Sequence, residues 1–225
     1  SVKPDNFSLL KREEERSQFT IYNGGPAASS LFISFNLNKG SRDGKPLVDP
    51  IKSRWFNTLE FRQAVAHAID RPTMLNNIYQ GLGVLQDSSI FPLSPYSASP
   101  EEDGIKAYDY NLETAKNLLL SAGFQYDASN QLLDAEGNQV RFTLITNAGN
   151  KVREAIGAQI KQDLSKIGIT VDFNPISWGS LVEKLGDSLE WDCHMISLGG
   201  GLEPNGGSNV WNPAGGLHAF NQKPL

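Results

Sequence analysis

The feature that most constrains the fold is an alternation between two hydrophobic periods in the second half of the chain. Apolar residues fall at every second position in residues 140–144 and 169–173, and a third apolar stretch, Cys193, Met195, Ile196 and Leu198, is also predicted to be a strand. Between these stretches they recur at helical spacing, in residues 152–167 and 181–185. This order predicts a β-α-β-α-β unit, and such units form a parallel sheet with right-handed crossovers. We therefore expect an α/β fold with a parallel core and additional helices.

The boundaries of these elements carry their own signals. Gly168 follows the first helix, where a glycine commonly adopts the left-handed conformation that ends a helix. Ser177 stands at the start of the second helix as a candidate N-cap residue. A turn over residues 136–138 precedes the first strand. Each predicted element thus begins or ends at a residue that favours a boundary.

Helices are also predicted in the first half of the chain. Asn57 and Glu60 have the spacing of a capping box at the start of one helix. Pro72 disfavours helical geometry at the residue before it, so this helix should break there and a second should begin at Asp70. A third helix is predicted over residues 111–122, since an asparagine precedes its apolar face and a glycine follows it.

The composition excludes several classes of partner and site. The 20 Lys and Arg residues against 25 Asp and Glu residues give a net charge of −5. The chain therefore lacks the basic face that phosphate binding requires, and no nucleic acid is expected as a partner. The one cysteine, Cys193, excludes an internal disulfide and a multi-cysteine metal site. No apolar run approaches the ~20 residues of a membrane-spanning helix.

The domain organisation indicates a single unit. Residues 86–100 are rich in Ser and Pro and are predicted to be a loop, and no repeat or interdomain linker stands out. The chain opens in a polar stretch that is predicted to be coil and is too charged for a signal peptide, and residues 222–225 supply no closing element. We expect one α/β domain over residues 1–225 that is a fragment of a longer protein.

A glycine-rich loop, residues 197–211, follows the last predicted strand. In an open parallel sheet the loops that leave the strands meet at the carboxyl edge, where ligands bind. Glycine lets the backbone approach a ligand closely and leaves its N–H and C=O groups free to bind it. The loop is therefore either a ligand-binding loop or a long surface connection whose glycines only form turns. Two further loops are expected at the same edge, residues 147–150 and 175–178.

No catalytic or cofactor-binding constellation is found in the sequence. Cys193 and His194 are adjacent in a predicted strand, where successive side chains point to opposite faces, so they cannot act as nucleophile and base. The other histidines, His67 and His218, lack the paired spacing of metal ligands. Pro204 interrupts the glycine pattern of a dinucleotide-binding loop, and no P-loop motif occurs. We expect a protein that is not an enzyme and uses no metal or cofactor.

Several segments resemble a known protein family, in the family's order along the chain. They are FISFNLN (32–38), FRQAVAHAIDRPTMLNNIYQGLG (61–83), FPLSPY (91–96), YDYNLETAKNLLLSAGF (108–124), KIGITVDF (166–173) and WDCHMISLGGGLEP (191–204). Together they resemble the second, C-terminal lobe of the family 5 extracellular solute-binding proteins, the oligopeptide- and dipeptide-binding type that serves ABC importers. The resemblance covers nearly the whole chain.

The resemblance implies a periplasmic-binding-protein-like lobe in a two-lobed protein that closes on its ligand by hinge motion. It implies a solute-binding component of an ABC transporter that delivers a peptide or another small solute to the membrane subunits of a permease. The first lobe of the same protein would lie outside this chain. The implied location is the periplasm, or the outside of the cell with a membrane anchor as a lipoprotein. A protein-interaction or sensory domain built on the same lobe, or a hydrolase, is the alternative.

The glycine-rich loop departs from the family's pattern at one point. Peptide binders of this family carry an aspartate shortly before a Glu-Pro or Asp-Pro dipeptide, and it pairs with the terminal ammonium of the ligand. Here Gly199, Gly200 and Gly201 stand at that place, followed by Glu203. A buried ammonium without a partner charge is destabilised by several kcal/mol. Either Glu203 substitutes for the aspartate, or the ligand lacks a free amine and Glu203 is a solvated loop residue.

Five further residues have positions that favour either a ligand contact or a structural role. Asn209 and Trp211 end the glycine-rich loop and offer hydrogen bonds and a flat apolar surface, or they pack against the loop itself. Asn147 follows the first parallel strand as a ligand contact or a turn former. Asn36 follows an apolar strand that in the family runs near the hinge and the cleft, or it simply ends that strand. Trp178 lines the crevice or, as is usual in the first turn of a helix, belongs to the core.

Overall fold

The computed structural model describes residue 2 and residues 4–221. The expectation about residues 222–225 lies outside the described part of the chain. The α-helices are α1 (Pro4–Glu13), α2 (Pro50–Asn57), α3 (Leu59–Ala68), α4 (Arg71–Asn77), α5 (Pro100–Asp103), α6 (Leu112–Ser121), α7 (Lys151–Ser165), α8 (Trp178–Glu183) and α9 (Ser208–Trp211). The strands are β1 (Ser29–Phe35), β2 (Ser41–Arg42), β3 (Lys45–Pro46), β4 (Gln125–Tyr126), β5 (Leu132–Leu133), β6 (Arg141–Asn147), β7 (Thr170–Ile176) and β8 (Cys193–Gly199).

The central sheet has four strands in the spatial order β1-β8-β6-β7. β6 lies parallel to both β7 and β8. The chain order β6-α7-β7-α8-β8 is therefore the predicted β-α-β-α-β unit, and the predicted α/β fold is confirmed. β1 adds an antiparallel strand, because Ser29–Phe35 pairs along its whole length with Cys193–Gly199.

The two helices of this unit lie on opposite faces of the sheet. α7 connects β6 to its neighbour β7, and α8 leads back past β6 to β8. Because crossovers between parallel strands are right-handed in nearly all proteins, connections that run in opposite directions place their helices on opposite faces. On the α7 face, Phe173 lies against Gly157, and Leu144 and Cys193 are its neighbours in register. The loops that leave β6 and β7 therefore turn towards opposite faces at the carboxyl edge, which is where open α/β sheets bind their ligands.

The core lies between the α7 face of the sheet and the helices α2, α3 and α6. An aromatic cluster fills its centre: the ring centroid of Phe35 lies 4.9 Å from that of Phe56 and 5.2 Å from that of Phe142. Phe61 of α3 packs edge-on against Phe35 at 5.5 Å. Burial of each such ring stabilises the fold by about 1.5–3 kcal/mol, so this cluster fixes the helices on the sheet.

The predicted helix boundaries are mostly confirmed. The side chains of Ser177, Asp70 and Asn111 each accept a hydrogen bond from the backbone N–H three residues on, at 3.1, 3.0 and 2.9 Å. Gly168 adopts a φ of +77° after α7. A side chain there would also clash, since a Cβ atom would stand 2.6 Å from the carbonyl oxygen of Asn130. Local capping chemistry thus sets these boundaries.

Two local predictions are wrong. Asn57 does not begin a helix; it is the last residue of α2, and its amide donates to the carbonyl of Ser53 at 2.9 Å. α3 begins after Thr58, whose side chain makes no capping bond, so the capping box with Glu60 does not form. The predicted polar coil at the start of the chain is helical over residues 4–13.

The smaller elements lie outside the central sheet. β2 pairs with β3, and β4 pairs with β5, each in antiparallel fashion. Residues 86–99 contain no helix or strand, as their Ser- and Pro-rich composition predicts, and α5 begins at Pro100. Within residues 4–221, no helix has both the length and the apolar character needed to cross a membrane.

Candidate functional site

The loops that follow the three parallel strands lie on one edge of the sheet. β6 ends at Asn147, β7 at Ile176 and β8 at Gly199. All three strands point the same way, because β6 is parallel to both of its neighbours. The structure therefore brings the 147–150 loop, the start of α8 and the glycine-rich loop to the same carboxyl edge.

The glycine-rich loop is fastened to the body of the protein where it leaves β8. The N–H of Gly200 donates to the carbonyl of Ala28 at 3.2 Å. The hydroxyl of Ser94 donates to the carbonyl of Leu202 at 2.5 Å. A Cβ atom on Gly200 would stand 3.4 Å from the ring of Phe91, so the loop passes close to the Ser- and Pro-rich segment. These contacts hold the first glycines in a defined position.

The rest of the loop is folded rather than extended. Residues 204–207 form a 3₁₀ turn that leads into α9. Gly201 and Glu203 are exposed to solvent just before this turn. The side-chain oxygen of Asn209 accepts a hydrogen bond from the N–H of Gly216 at 2.7 Å, so Asn209 braces the turn that follows α9.

Two tryptophans in these loops are exposed. Trp211 ends α9 with 52% of its surface accessible and meets the ring of Phe220 edge-on, at 6.3 Å between centroids. Trp178 begins α8 and is 62% accessible. The assignment of Trp178 to the core is therefore wrong, because α8 buries Leu181 while its first turn lies at the carboxyl edge. Trp178 is therefore an exposed ring at the carboxyl edge, two residues after the end of β7.

Asn36 lies at the opposite edge of the sheet. Its side chain is fully buried, and its amide donates to the carbonyls of Leu189 at 2.8 Å and Trp191 at 2.9 Å. Its side-chain oxygen accepts from the amide of Asn38 at 2.7 Å. Because β1 runs antiparallel to β8, the structure does not bring Asn36 together with the residues of the glycine-rich loop.

Asn147 is the last residue of β6, at the carboxyl edge, and it binds an arginine. Its side-chain oxygen accepts a hydrogen bond from Nη1 of Arg153, in the first turn of α7. The backbone N–H of Arg153 donates to the side-chain oxygen of Asn150 at 3.1 Å, which caps α7. The 147–150 loop therefore positions both the helix end and the Arg153 guanidinium at the carboxyl edge.

A groove of about 1140 Å³ runs along β1 on the α7 side of the sheet. Every residue of β1, from Ser29 to Phe35, lines it, together with Met195 of β8 and side chains from α3, α4 and α7. Residues 21–27 border its other side. Ser29 and Ser197 lie near the carboxyl end of β8, so the groove reaches the same edge as the loops.

Arg71 anchors one wall of this groove. Its guanidinium donates to the carbonyls of Gln86 at 2.9 Å and Tyr108 at 3.0 Å, and it pairs with the carboxylate of Asp87 at 3.2 Å. These bonds tie the segment between α4 and α6 to the start of α4. The wall is therefore held by a cation that is fully partnered.

The adjacent Cys193 and His194 lie in β8, as the sequence predicts, and both are buried. Burial raises the pKa of the Cys193 thiol and lowers the pKa of His194 to about 3. A neutral thiol and a neutral imidazole on opposite faces of a strand do not form a nucleophile and base. Among residues 4–221, no three or more His, Cys, Asp or Glu side chains are grouped to hold a metal ion.

Comparisons with known proteins give the relatives of this chain. A probable ABC transporter-binding protein of Deinococcus radiodurans is 30% identical over 217 residues, which cover 90% of this chain and 34% of the relative. The oligopeptide-binding protein AppA of Bacillus subtilis is 34% identical over 152 residues, which cover 67% of this chain and 27% of the relative. The chain thus spans about a third of the length of these relatives.

The fold is also found among solved structures. The periplasmic binding protein MelB of Agrobacterium fabrum, solved in complex with stachyose, superimposes with a TM-score of 0.78 at 19% identity, over 98% of this chain and 34% of that protein. The family model of the bacterial extracellular solute-binding proteins, family 5 middle region, matches residues 1–219. The resemblance seen in the sequence motifs is confirmed: the chain belongs to the family 5 bacterial extracellular solute-binding proteins.

Proposed function

We propose that this chain is one lobe of the solute-binding component of an ABC importer, and that its solute is a peptide or another small organic molecule. The observation that carries this proposal is the groove that reaches the carboxyl edge, where the loops of three parallel strands meet. Family membership supports solute binding. The names of the relatives support the solute classes, since one is an oligopeptide-binding protein and a similar structure holds stachyose.

The groove suits an extended solute. Its volume of about 1140 Å³ is at or above the upper end of small-molecule pockets, which are roughly 300–1,000 Å³. All seven residues of Ser29–Phe35 line it, as expected for a groove that follows the edge of a strand. Within the described residues, β1 has a strand partner on one side only. An extended peptide can therefore pair with the other edge through its backbone.

The loops at the carboxyl edge provide the residues that contact the solute at one end of the groove. Gly199, Gly200 and Gly201 let the backbone approach the solute, because no side chain intervenes. Trp178 offers an exposed flat surface at the crevice, on which an apolar or ring-shaped group can lie. Trp211 and Glu203 are the contacts that closure of the protein would bring to the solute, while Asn209 and Asn147 hold the loops in place. Asn36 braces the far edge.

Transport follows from the two-lobed arrangement that the family implies. A single lobe buries only part of a solute, so the remaining contacts come from a second lobe that closes over the groove by hinge motion. The closed form is then recognised by the membrane subunits of the permease. We place the protein in the periplasm, or outside the cell on a lipid anchor, and assign it no chemical reaction.

One substitution tests the groove directly. Ser197 lines the groove, and Ser197→Trp places an indole ring in it, whereas Ser129→Trp adds the same ring to an exposed loop. The full natural protein is purified from its host and unfolded, and the released small molecules are identified by mass spectrometry. We expect wild-type protein and Ser129→Trp to release the same solute, and folded Ser197→Trp to release at least tenfold less. Equal release from all three would reject the groove as the site.

A further inference from the structure

The sequence Asn-Gly-Gly occurs twice in the chain, and both copies are attached to the sheet at the same edge. Asn23 begins the copy that precedes β1, and Asn205 begins the copy that follows β8. Ser29 at the start of β1 pairs with Gly199 at the end of β8, so both copies adjoin the carboxyl edge. In an Asn-Gly sequence the backbone nitrogen of the glycine can attack the side-chain amide with little hindrance, because glycine has no Cβ atom. The two copies share this chemistry and differ in their folded surroundings.

The Asn23 copy has the arrangement that this attack requires. Asn23 and Gly24 are exposed, and among the described residues the N–H of Gly24 has no hydrogen-bond partner. The side-chain oxygen of Asn23 accepts a hydrogen bond from the N–H of Gly25 at 2.9 Å. The ring that this bond closes contains both the side-chain carbon of Asn23 and the nitrogen of Gly24. A Cβ atom on Gly24 would meet no atom within 4 Å, so the space around the reacting nitrogen is open.

The hydrogen bond from Gly25 also favours the reaction electrostatically. Attack on an amide carbon moves negative charge onto the amide oxygen, and a donor that already points at this oxygen stabilises the charge. The N–H of Gly25 is such a donor for the side-chain oxygen of Asn23. Gly25 has a φ of +80°, which favours glycine, so the second glycine of the motif allows the turn that places this N–H.

The Asn205 copy is protected by its fold. Residues 204–207 form a 3₁₀ turn, and the N–H of Gly206 donates to the carbonyl of Glu203 at 3.1 Å. The nitrogen that would attack is therefore already a donor within a regular turn, and this turn must open before the reaction begins. Asn205 is exposed, as Asn23 is. Exposure thus does not separate the two copies, whereas the hydrogen bonding of the backbone does.

We propose that Asn23, next to Gly24, is a site of spontaneous deamidation in the folded protein, with water as the co-reactant. The Gly24 nitrogen loses its proton and forms a bond to the side-chain carbon of Asn23, and the bond from that carbon to Nδ2 breaks and releases ammonia. Water then opens the cyclic imide at either carbonyl and leaves aspartate or isoaspartate. Because Asn23 and Gly24 border the groove, the product adds a negative charge to its wall. This inference goes beyond the proposed function and holds for any solute.

The experiment compares the two copies within one protein sample. The full natural protein is kept at neutral pH and digested at intervals, and mass spectrometry follows the conversion of amide to acid at Asn23 and at Asn205. We expect Asn23 in the folded protein to react about tenfold faster or more, because the turn at Asn205 must first open. In concentrated urea the two rates should converge, since the shared sequence then acts alone. Equal rates in the folded protein, or a slower reaction of Asn23 when folded than in urea, would overturn the inference.

Matched variants assign the reaction to the backbone nitrogen. Gly24→Ala should slow the deamidation of Asn23 by about tenfold or more, since the methyl group hinders the attack, and the open space around Gly24 lets the variant fold. Gly206→Ala is the control, because a Cβ atom there meets only the nitrogen of Gly201, at 3.7 Å, and it should leave the rate at Asn23 unchanged. Circular dichroism verifies that both variants are folded. An undiminished rate at Asn23 in folded Gly24→Ala would contradict attack by the Gly24 nitrogen and reject the site as described.

Discussion

The ring of Phe173 occupies the space in which a side chain on Gly157 would begin. A Cβ atom built on Gly157 would stand 2.2 Å from Cε2 of that ring. This close approach holds α7 against β7, and with it the helix end that carries Arg153. The position of the candidate site therefore depends on a glycine in the middle of a helix, where glycine is otherwise unfavourable.

Gly157→Ala should destabilise the protein by about 1–3 kcal/mol, because the methyl group forces the Phe173 ring or the helix to move. Gly179→Ala is the matched control, since Gly179 is also helical and a Cβ there meets no atom within 4 Å. The control should be neutral or stabilising by up to about 1 kcal/mol. Urea unfolding of both variants measures the difference. Equal effects at the two glycines would show that the contact with Phe173 is not restrictive.

The buried His194 makes stability depend on pH. Its pKa is lowered to about 3 by burial, whereas an unfolded histidine has a pKa of about 6.5. The unfolded state therefore binds a proton that the folded state does not bind. The contribution of His194 to the free energy of unfolding is fully present above pH 6.5 and decreases as the pH falls towards 3. The expected loss is about 1.4 kcal/mol for each pH unit in this window.

The pH prediction is tested with His194→Leu, which removes the titrating group and fills a similar volume. Its free energy of unfolding should vary less with pH between 4.5 and 6.5 than that of the wild type, by roughly 2–3 kcal/mol over the range. Carboxylates such as Asp172, whose pKa is lowered by its hydrogen bond with Arg141, lose their contribution at lower pH and do not obscure this window. Parallel pH profiles for the two proteins would contradict the buried, neutral state of His194.

Asn36 is expected to affect stability rather than solute binding. Asn36→Ala removes an amide that donates to Leu189 and Trp191 and leaves their buried carbonyls without that partner. The expected loss is about 2–4 kcal/mol, since each buried unpaired polar group costs about 1–3 kcal/mol. Asn76→Ala, at an exposed position in α4, should change stability by less than about 0.5 kcal/mol. A stable Asn36→Ala protein with weakened solute binding would reverse this assignment.

Trp178 is expected to show the opposite behaviour. Trp178→Ala removes an exposed ring from the carboxyl edge, so the unfolding free energy should change by less than about 0.5 kcal/mol. Affinity for the solute should fall by about tenfold or more, because a stacked aromatic contributes about 1 kcal/mol beyond its buried area. Leu59→Ala, an exposed apolar residue of α3, is the control and should leave affinity unchanged. Full affinity in Trp178→Ala would remove this residue from the site.

Much of the fold could be predicted because the signals are local. The β-α-β-α-β order follows from periods of two and about 3.6 residues, and the caps at Asp70 and Ser177 act on an N–H only three residues away. The capping box at Asn57 does not form, because the side-chain amide of Asn57 donates to the carbonyl of Ser53 within α2 instead of capping the next helix. The antiparallel register of β1 on β8 joins distant segments, so no local period reveals it.

The candidate site could be predicted only in part. Sheet topology was enough to gather the loops after β6, β7 and β8 at one edge. The groove could not be predicted, since it is built from segments as distant as β1, α4 and Met195. The bond between Arg153 and Asn147 could not be predicted either, because in the sequence Arg153 is one charged residue near the start of an amphipathic helix.

The measurement that tests the central claim most directly is a crystal structure of the full natural protein with the solute that it retains on purification. We predict solute atoms in contact, within about 4 Å, with β1 and with Gly199–Gly201. A structure in which the groove along β1 is filled by another segment of the protein, and the solute lies away from these loops, would contradict the assignment of this groove as the binding site.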